Sequence, residues 1–472
     1  MSASKYVRLF GVGLAFSFIA ASCSGSGDDT ATRSDSDSEA STAPSAGDDS
    51  SDDASADGDA AIGPVDGLIT VGAGLGLGLF GIDRTSGEAV EFASEASIGF
   101  LDRQTDLVLR DGAAFTLGFT QREGQSFSND VSVVKIDLET TEVLKLVDLG
   151  FDRETDDSET SISYSFEAVL ADSVVVRSGE FGGDDTYRVY DSTTGAELSS
   201  FATPAYEKDH DTGSCSGTVS RLAGLSDGRL VGIALGSVAI IDPATGEVEL
   251  MRDCDVPSPE LSDFVSIADF GDYAVFNSGG VPTDEDIDRF LGTELEVSSG
   301  FVEGDGDLWW LNVSSRSSND VRVIVGGVVQ FDLATQSVEA VYGLGEFIGE
   351  YTECPDADGV CNLQTVEQAQ LRFIDGRLVM AEIDENGRVL VLDPSNGEIS
   401  ATEIVAGDGV DFTRVDLLSG DPAGVWLEVS RMTITQDDDS GRTAFGPRYI
   451  EQFDPITGTV GLSLPVEDVF GF

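Results

Sequence analysis

One hairpin motif returns along most of this chain and restricts it to repeat architectures: an apolar residue, then Asp, two further residues, Thr or Ser, and Gly. The clearest copies are Ile82-Asp83-Arg84-Thr85-Ser86-Gly87, Tyr190-Asp191-Ser192-Thr193-Thr194-Gly195, Ile241-Asp242-Pro243-Ala244-Thr245-Gly246, Leu392-Asp393-Pro394-Ser395-Asn396-Gly397 and Phe453-Asp454-Pro455-Ile456-Thr457-Gly458. Two more copies, beginning at Ile136-Asp137 and Phe331-Asp332, end in Thr141 and Gln336 where the others have Gly. Each copy follows one alternating apolar run and precedes another, which is the signature of a β-hairpin. The residue types suit a turn. The Asp carboxylate accepts backbone N–H groups just ahead of it, Pro presets φ, and Gly takes the left-handed position. These aspartates are therefore read as structural.

A second unit lies upstream of the first. Leu225-Ser226-Asp227-Gly228-Arg229-Leu230-Val231 and Phe373-Ile374-Asp375-Gly376-Arg377-Leu378-Val379 are nearly the same, and Leu109-Arg110-Asp111-Gly112 is a looser copy. Together the two units give four strands per repeat. Successive motif aspartates lie roughly 50 to 60 residues apart, the period of a propeller blade, except across the long interval from Asp242 to Asp332. Ile287-Asp288-Arg289-Phe290-Leu291-Gly292 divides that interval, with a strand pair expected at 264–270 and 273–277 before it. Pro282-Thr283 ahead of Asp286 equally suits a helix opened by a capping box. The expected fold is thus all-β, a β-propeller of eight four-stranded blades, with seven as the alternative. The first unit lacks an opening strand and the chain ends on an unclaimed Val466-to-Phe472 segment, so the N- and C-terminal strands are expected to share one blade.

Over residues 63–472 this periodic pattern resembles the quinoprotein-like (PQQ-like) and surface-layer-type (YVTN) bacterial propellers, in which a strand ending in Asp-x-x-Thr-Gly turns into the next. The quinoprotein repeat carries a docking Trp shortly after the Gly. No repeat here has one, so the resemblance does not extend to pyrroloquinoline quinone.

The chain start reads as an address. Lys5 and Arg8 precede an apolar run from Leu9 to Ala21, then Ser22-Cys23. This is a signal-peptide pattern, too short for an ordinary transmembrane helix of about 20 residues. Ile19-Ala20-Ala21-Ser22-Cys23 resembles a bacterial lipobox, which makes 1–22 a lipoprotein signal peptide and Cys23 the lipidated residue. A plain secretory cut near Ala21 is the alternative. Residues 23–62 are Ser, Asp, Gly and Ala with almost no large apolar side chain, so they read as a disordered acidic tether. The expected location is extracytoplasmic, lipid-anchored to the cell membrane. With 26 basic against 87 acidic residues the net charge is −61, which repels phosphate backbones and excludes nucleic acid as a partner. Four further cysteines in an exported chain favour disulfides: Cys354 with Cys361 across a polar loop, leaving Cys215 with Cys254.

The search for chemistry yields little. Gly224-Leu225-Ser226-Asp227-Gly228 fits a nucleophile elbow formally, but a strand follows it where a helix is required. His210, the only histidine, sits near Cys215 in a polar segment. The glycines from Gly72 to Gly78 have no following Lys-bearing helix to make a phosphate loop. Asp305, Asp307, Asp356 and Asp358 supply oxygen ligands that calcium prefers, without the bidentate Glu of an EF-hand. Trp309, Trp310 and Trp426 lie on strands beside turns, as core residues or as platforms for a sugar or peptide. No catalytic constellation emerges. The reading is a non-enzymatic binding or scaffolding module for a protein, peptide or glycan. The alternative is a propeller enzyme working at the channel mouth, with calcium beside a cofactor.

Overall fold

The structure, a computed structural model, describes residues 67–71, 78–94, 107–121, 129–151, 162–180, 185–202, 219–234, 237–250, 259–276, 282–318, 321–345, 347, 370–381, 387–404, 410, 412–418, 421, 423–437 and 441–467. They form seven antiparallel sheets, each built from consecutive strands. Blade 1 has three strands among the described residues, Gly67–Val71, Gly78–Asp83 and Ala89–Ser94. Blade 2 comprises Val108–Arg110, Ala113–Gln121, Asn129–Asp137 and Val143–Phe151, and blade 3 Ile162–Val169, Ser173–Glu180, Asp185–Asp191 and Glu197–Ala202. Ser220–Gly224, Leu230–Ala234, Ser237–Ile241 and Val248–Leu250 make blade 4. Blade 5 is Val302–Gly304, Asp307–Ser318, Val321–Asp332 and Ser337–Gly343, with Ala274–Phe276 added beside its long third strand. Gln370–Ile374, Arg377–Ala381, Arg388–Asp393 and Glu398–Glu403 form blade 6. Blade 7 is Phe412–Leu418, Val425–Asp437, Arg448–Asp454 and Thr459–Pro465, with Gly441–Phe445 extending its second strand.

The hairpin motif joins the last two strands of every blade, and its residue types follow from hydrogen bonding. In blade 3, Asp191 Oδ1 accepts the amides of Thr193 (3.0 Å) and Thr194 (2.6 Å) and the Thr194 hydroxyl (2.8 Å). Asp83 does the same with Thr85 and Ser86. The Gly amide then closes the turn on the Asp carbonyl, at 2.9 Å for Gly195. Gly195 has φ +69°, and a Cβ there would sit 2.1 Å from the Leu146 carbonyl oxygen of blade 2. At Gly246 it would sit 2.4 Å from Phe201 Cβ of blade 3. Each turn is thus pressed against the outer strand of the preceding blade. Thr141 and Gln336, which replace Gly, still adopt φ +59° and +53°.

The Asp-Gly pairs joining the first two strands are two-residue turns with both residues at positive φ, at Asp111-Gly112, Asp305-Gly306 and Asp375-Gly376, the type I′ geometry matched to strand twist. Blade 4 departs from this despite its near-identical sequence. Its loop spans 225–229, closed by Leu225 N–H to the Arg229 carbonyl, while the Ser226 amide and hydroxyl both donate to Glu303 of blade 5 at 2.6 Å.

The sheets close into a ring. First strands of neighbouring blades touch one another, blade 2 with 3, 3 with 4, 5 with 6 and 6 with 7, so they surround the axis. Seven apolar clusters fill the seams, one between each adjacent pair. The last joins Leu68 and Ile82 of blade 1 to Trp426 and Ile450 of blade 7 and includes Val466. The molecule is therefore a seven-bladed β-propeller, and the expectation of eight is corrected to the alternative. Ile287-Asp288 lies in the helix α1, Asp284–Leu291. Thr283 Oγ1 accepts the Asp286 amide, and the Thr283 amide donates to the Asp286 carboxylate. Acids occupy the first turn and Arg289 the last, in accord with the helix dipole. The strand pair expected before it is largely 3-10 turn, at Leu261–Asp263 and Phe270–Tyr273, and only Ala274–Phe276 is a strand. Of the terminal strand expected over 466–472 to complete blade 1, Val466 and Glu467 are described and are helical, and 468–472 lie outside the described residues, as do Cys23 and the tether.

Candidate functional site

In a four-stranded antiparallel sheet the first-to-second and third-to-fourth turns share one end, and all other connections share the opposite end. The repeated motifs therefore all decorate one end of the ring. Structural bonding occupies them. The carboxyls of Asp83, Asp137, Asp191 and Asp332 lie below the usual range, chiefly because the amide three residues ahead donates to them. For Asp393 and Asp454 the chief cause is the Ser395 or Thr457 hydroxyl. Between blades, Lys135 Nζ donates to the Ser192 carbonyl, Ser199 Oγ to the Pro243 carbonyl and Thr402 Oγ1 to the Gly458 carbonyl.

The strand ends between which the long connections 203–219, 251–301 and 344–369 run lie at the opposite end, after blades 3, 4 and 5 in succession. Seven of the residues singled out in the sequence fall within these connections: His210 and Cys215 in the first, Cys254 in the second, Cys354 and Cys361 with Asp356 and Asp358 in the third. Those seven side chains lie outside the described residues. Of these connections the structure describes chiefly 259–276 and 282–301, which are built into the core. Their Leu261, Val265, Phe270, Phe290, Leu291 and Leu295 pack with Val231 and Val238 of blade 4 and Trp310 and Phe331 of blade 5. Phe270 stacks on Phe290 at 6.3 Å.

The tryptophans proposed as ligand platforms are core residues. Trp309, Trp310 and Trp426 are 1%, 0% and 0% exposed. Trp309 stacks on Phe373 of blade 6 and on Tyr342, and Trp310 meets Phe301 edge-on. No face of these rings is open to a sugar or peptide, and the inter-blade reading explains them. Asp305 is a type I′ turn residue with φ +55°, and Asp307 accepts from Gln330 Nε2 at 2.5 Å. Among the described residues no three acidic, His or Cys side chains converge as metal ligands.

Sequence reasoning missed the buried polar groups. Asp421, 1% exposed, takes three bonds from the Arg84 guanidinium (2.8, 3.0 and 3.2 Å), one from Trp426 Nε1 (2.8 Å) and one from the Ala423 amide (2.9 Å). Arg372, which donates to the Leu418 carbonyl, is pushed down by burial and pulled back up by Asp421. Glu451, 2% exposed, accepts from Arg431 and Ser463, each at 2.8 Å, and Arg431 lies over the Tyr449 ring. On blade 5, Trp310 Nε1, Asn312 Nδ2 and Ser314 Oγ are buried without a hydrogen-bond partner among the described residues. Each such atom left dry costs about 1–3 kcal/mol.

No protein-family model matches the chain, and no curated protein does. Among solved structures, the periplasmic gluconolactonase of Pseudomonas aeruginosa is similar at 14% identity and TM-score 0.38, over 84% of this chain and 93% of that one. A europium-containing methanol dehydrogenase matches at 10% identity and TM-score 0.33, over 75% and 79%. An uncharacterized protein of Listeria monocytogenes matches at 12% and 0.32, over 76% and 82%. Similarity at this level says nothing of activity.

Proposed function

We propose that this chain is an exported, lipid-anchored propeller that acts as a binding or scaffolding module, presenting one end of its ring to a protein, peptide or glycan outside the cell. The observation that supports this reading is the asymmetry of the two ends. The end bearing the repeated turns is consumed by bonds within and between blades. At the other end lie the strand ends between which three successive long connections run, 203–219, 251–301 and 344–369, and loops on a rigid scaffold are where recognition concentrates. The lipobox-like start and the acidic tether supply the anchor and the reach.

A photo-crosslinking residue placed at position 210 is expected to give a partner adduct on intact cells, and one placed at the exposed turn residue Thr193 is expected to give none. Equal adducts from both ends remove the assignment of a binding face. Cys23→Ser is expected to release the protein from the membrane fraction, and retention there overturns the anchor.

A further inference from the structure

Three residues after the motif Asp, the hairpin turns of the other blades carry a hydroxyl: Ser86, Thr140, Thr194, Thr245, Thr335 and Thr457. Blade 6 carries Asn396 there, followed by Gly397. The exchange keeps the turn. Elsewhere the hydroxyl accepts the amide two residues on, as Ser86 does from Glu88 and Thr245 from Glu247, each at 3.2 Å. Asn396 Oδ1 takes over that bond, accepting the Glu398 amide at 2.8 Å. The hydroxyl that donates to the motif carboxylate has moved back one residue, to Ser395, at 2.6 Å from Asp393 Oδ1.

Chemically the exchange is not neutral. The carboxamide carbon of an Asn is an electrophile that the main-chain nitrogen of the next residue reaches by closing a succinimide ring, and a following Gly puts no side chain in the way. The new bond joins Gly397 N to Asn396 Cγ as the bond from Cγ to Nδ2 breaks, and the amide proton leaves with the ammonia. Water then opens the ring at either carbonyl, giving aspartate or, with the main chain routed through the side chain, isoaspartate. Nothing is oxidised or reduced, and water is the only co-reactant.

The folded turn withholds both reacting groups. The Gly397 amide donates to the Asp393 carbonyl at 2.8 Å, and that proton must be lost before the nitrogen can attack. The Glu398 amide pins the carboxamide oxygen. Asn396 and Gly397 are both exposed, so water reaches the turn and these bonds are what hold the reaction back.

We infer that Asn396 is a self-modification site gated by its own turn, closed while the Gly397 and Glu398 bonds hold and converted irreversibly when the blade 6 hairpin opens. The effect reaches the neighbouring blade. Gly397 lies against Tyr342 of blade 5, where a Cβ would come 3.5 Å from two ring carbons, and Tyr342 stacks on Trp309. The additional main-chain carbon of an isoaspartate enters that contact, so conversion loosens the seam between blades 5 and 6.

The test compares the full chain, folded and unfolded in guanidinium, at one mildly alkaline pH. Because opening breaks two bonds, each worth roughly a factor of two to ten, the folded protein should convert about tenfold more slowly or slower still. Conversion is read as the mass gained by the tryptic peptide 389–414, in which Asn396 is the only carboxamide side chain; Asn386-Gly387 falls on the preceding peptide. Ser395→Ala, which removes a bond of the turn, should speed conversion in the folded protein and leave the unfolded rate unchanged. Asn396→Thr, which restores the residue of the other blades, should abolish the mass gain. Equal folded and unfolded rates, or a folded rate that Ser395→Ala does not move, overturn the gate. No conversion in the unfolded chain, or none in either folded protein, overturns the site.

Discussion

Asp421→Ala should break the ring at one seam. Asp421 joins blade 7 to Arg84 in the blade 1 turn, across 337 residues of sequence, and it also holds Trp426 Nε1 and the Ala423 amide. Removing one partner of a buried pair costs about 3–5 kcal/mol because the other charge is left behind, and an orphaned indole N–H adds about 1–3 kcal/mol. Arg84 is 26% exposed, so its guanidinium recovers some bonding to water, and the expected loss is about 3–5 kcal/mol. Against a typical net stability of about 5–15 kcal/mol this is large. The companion Arg84→Ala should cost a similar amount, and the double variant little more than either alone, because the two side chains act as one unit.

The measurement is denaturant unfolding combined with hydrogen exchange. Protection should fall first in 67–94 and 412–467, on either side of the seam, while blades 3 and 4 across the ring keep theirs. A loss below about 1 kcal/mol for Asp421→Ala, the range of an exposed ion pair, refutes the reasoning. So does protection lost evenly around the ring. The exposed pair Arg414–Asp416, at 3.0 Å, is the control and should be near neutral.

Thr141→Gly should stabilise the protein by about 1–2 kcal/mol in denaturant unfolding, since a β-branched residue at φ +59° carries the left-handed penalty; Gly195→Ala should destabilise it, because its Cβ meets a backbone carbonyl. The six motif aspartates with depressed carboxyls hold their charge more tightly folded than unfolded. Their stabilisation is present above the unfolded value of about 3.9 and is lost as pH falls from there through the folded values. Replacing several of them by Asn should flatten the acid limb of a stability-versus-pH curve, and an unchanged limb counts against the turn bonds. Deleting 466–472 should sharply lower the melting temperature, because Val466 is buried with Leu68, Ile82 and Trp426 at the closing seam; an unaltered melting curve sinks the shared-blade closure.

What was legible in the sequence is what depends on neighbours in sequence. The Asp191 turn is built from bonds reaching two and three residues ahead, so its residues announce it. The Asp288 copy fails on the same ground. An apolar residue, Asp and a later Gly also fit a helix, and the deciding signals were Thr283 with Asp286 at the start and Ile287, Phe290 and Leu291 at helical spacing. Leu225 to Val231 shows the limit from the other side. It nearly repeats 373–379, yet its loop is longer because Ser226 is claimed by Glu303, 77 residues away. The polar interior was illegible for this reason throughout. Asp421 reads as one acid among many until ring closure brings Arg84 to it. Asn312 reads as an ordinary strand residue until the Glu296 amide of the non-repeating segment donates to its oxygen and its nitrogen is left without a partner among the described residues. In a repeat protein the period therefore predicts the frame, and the functional search belongs where the period is broken, at 251–301 and the long connections on either side of it.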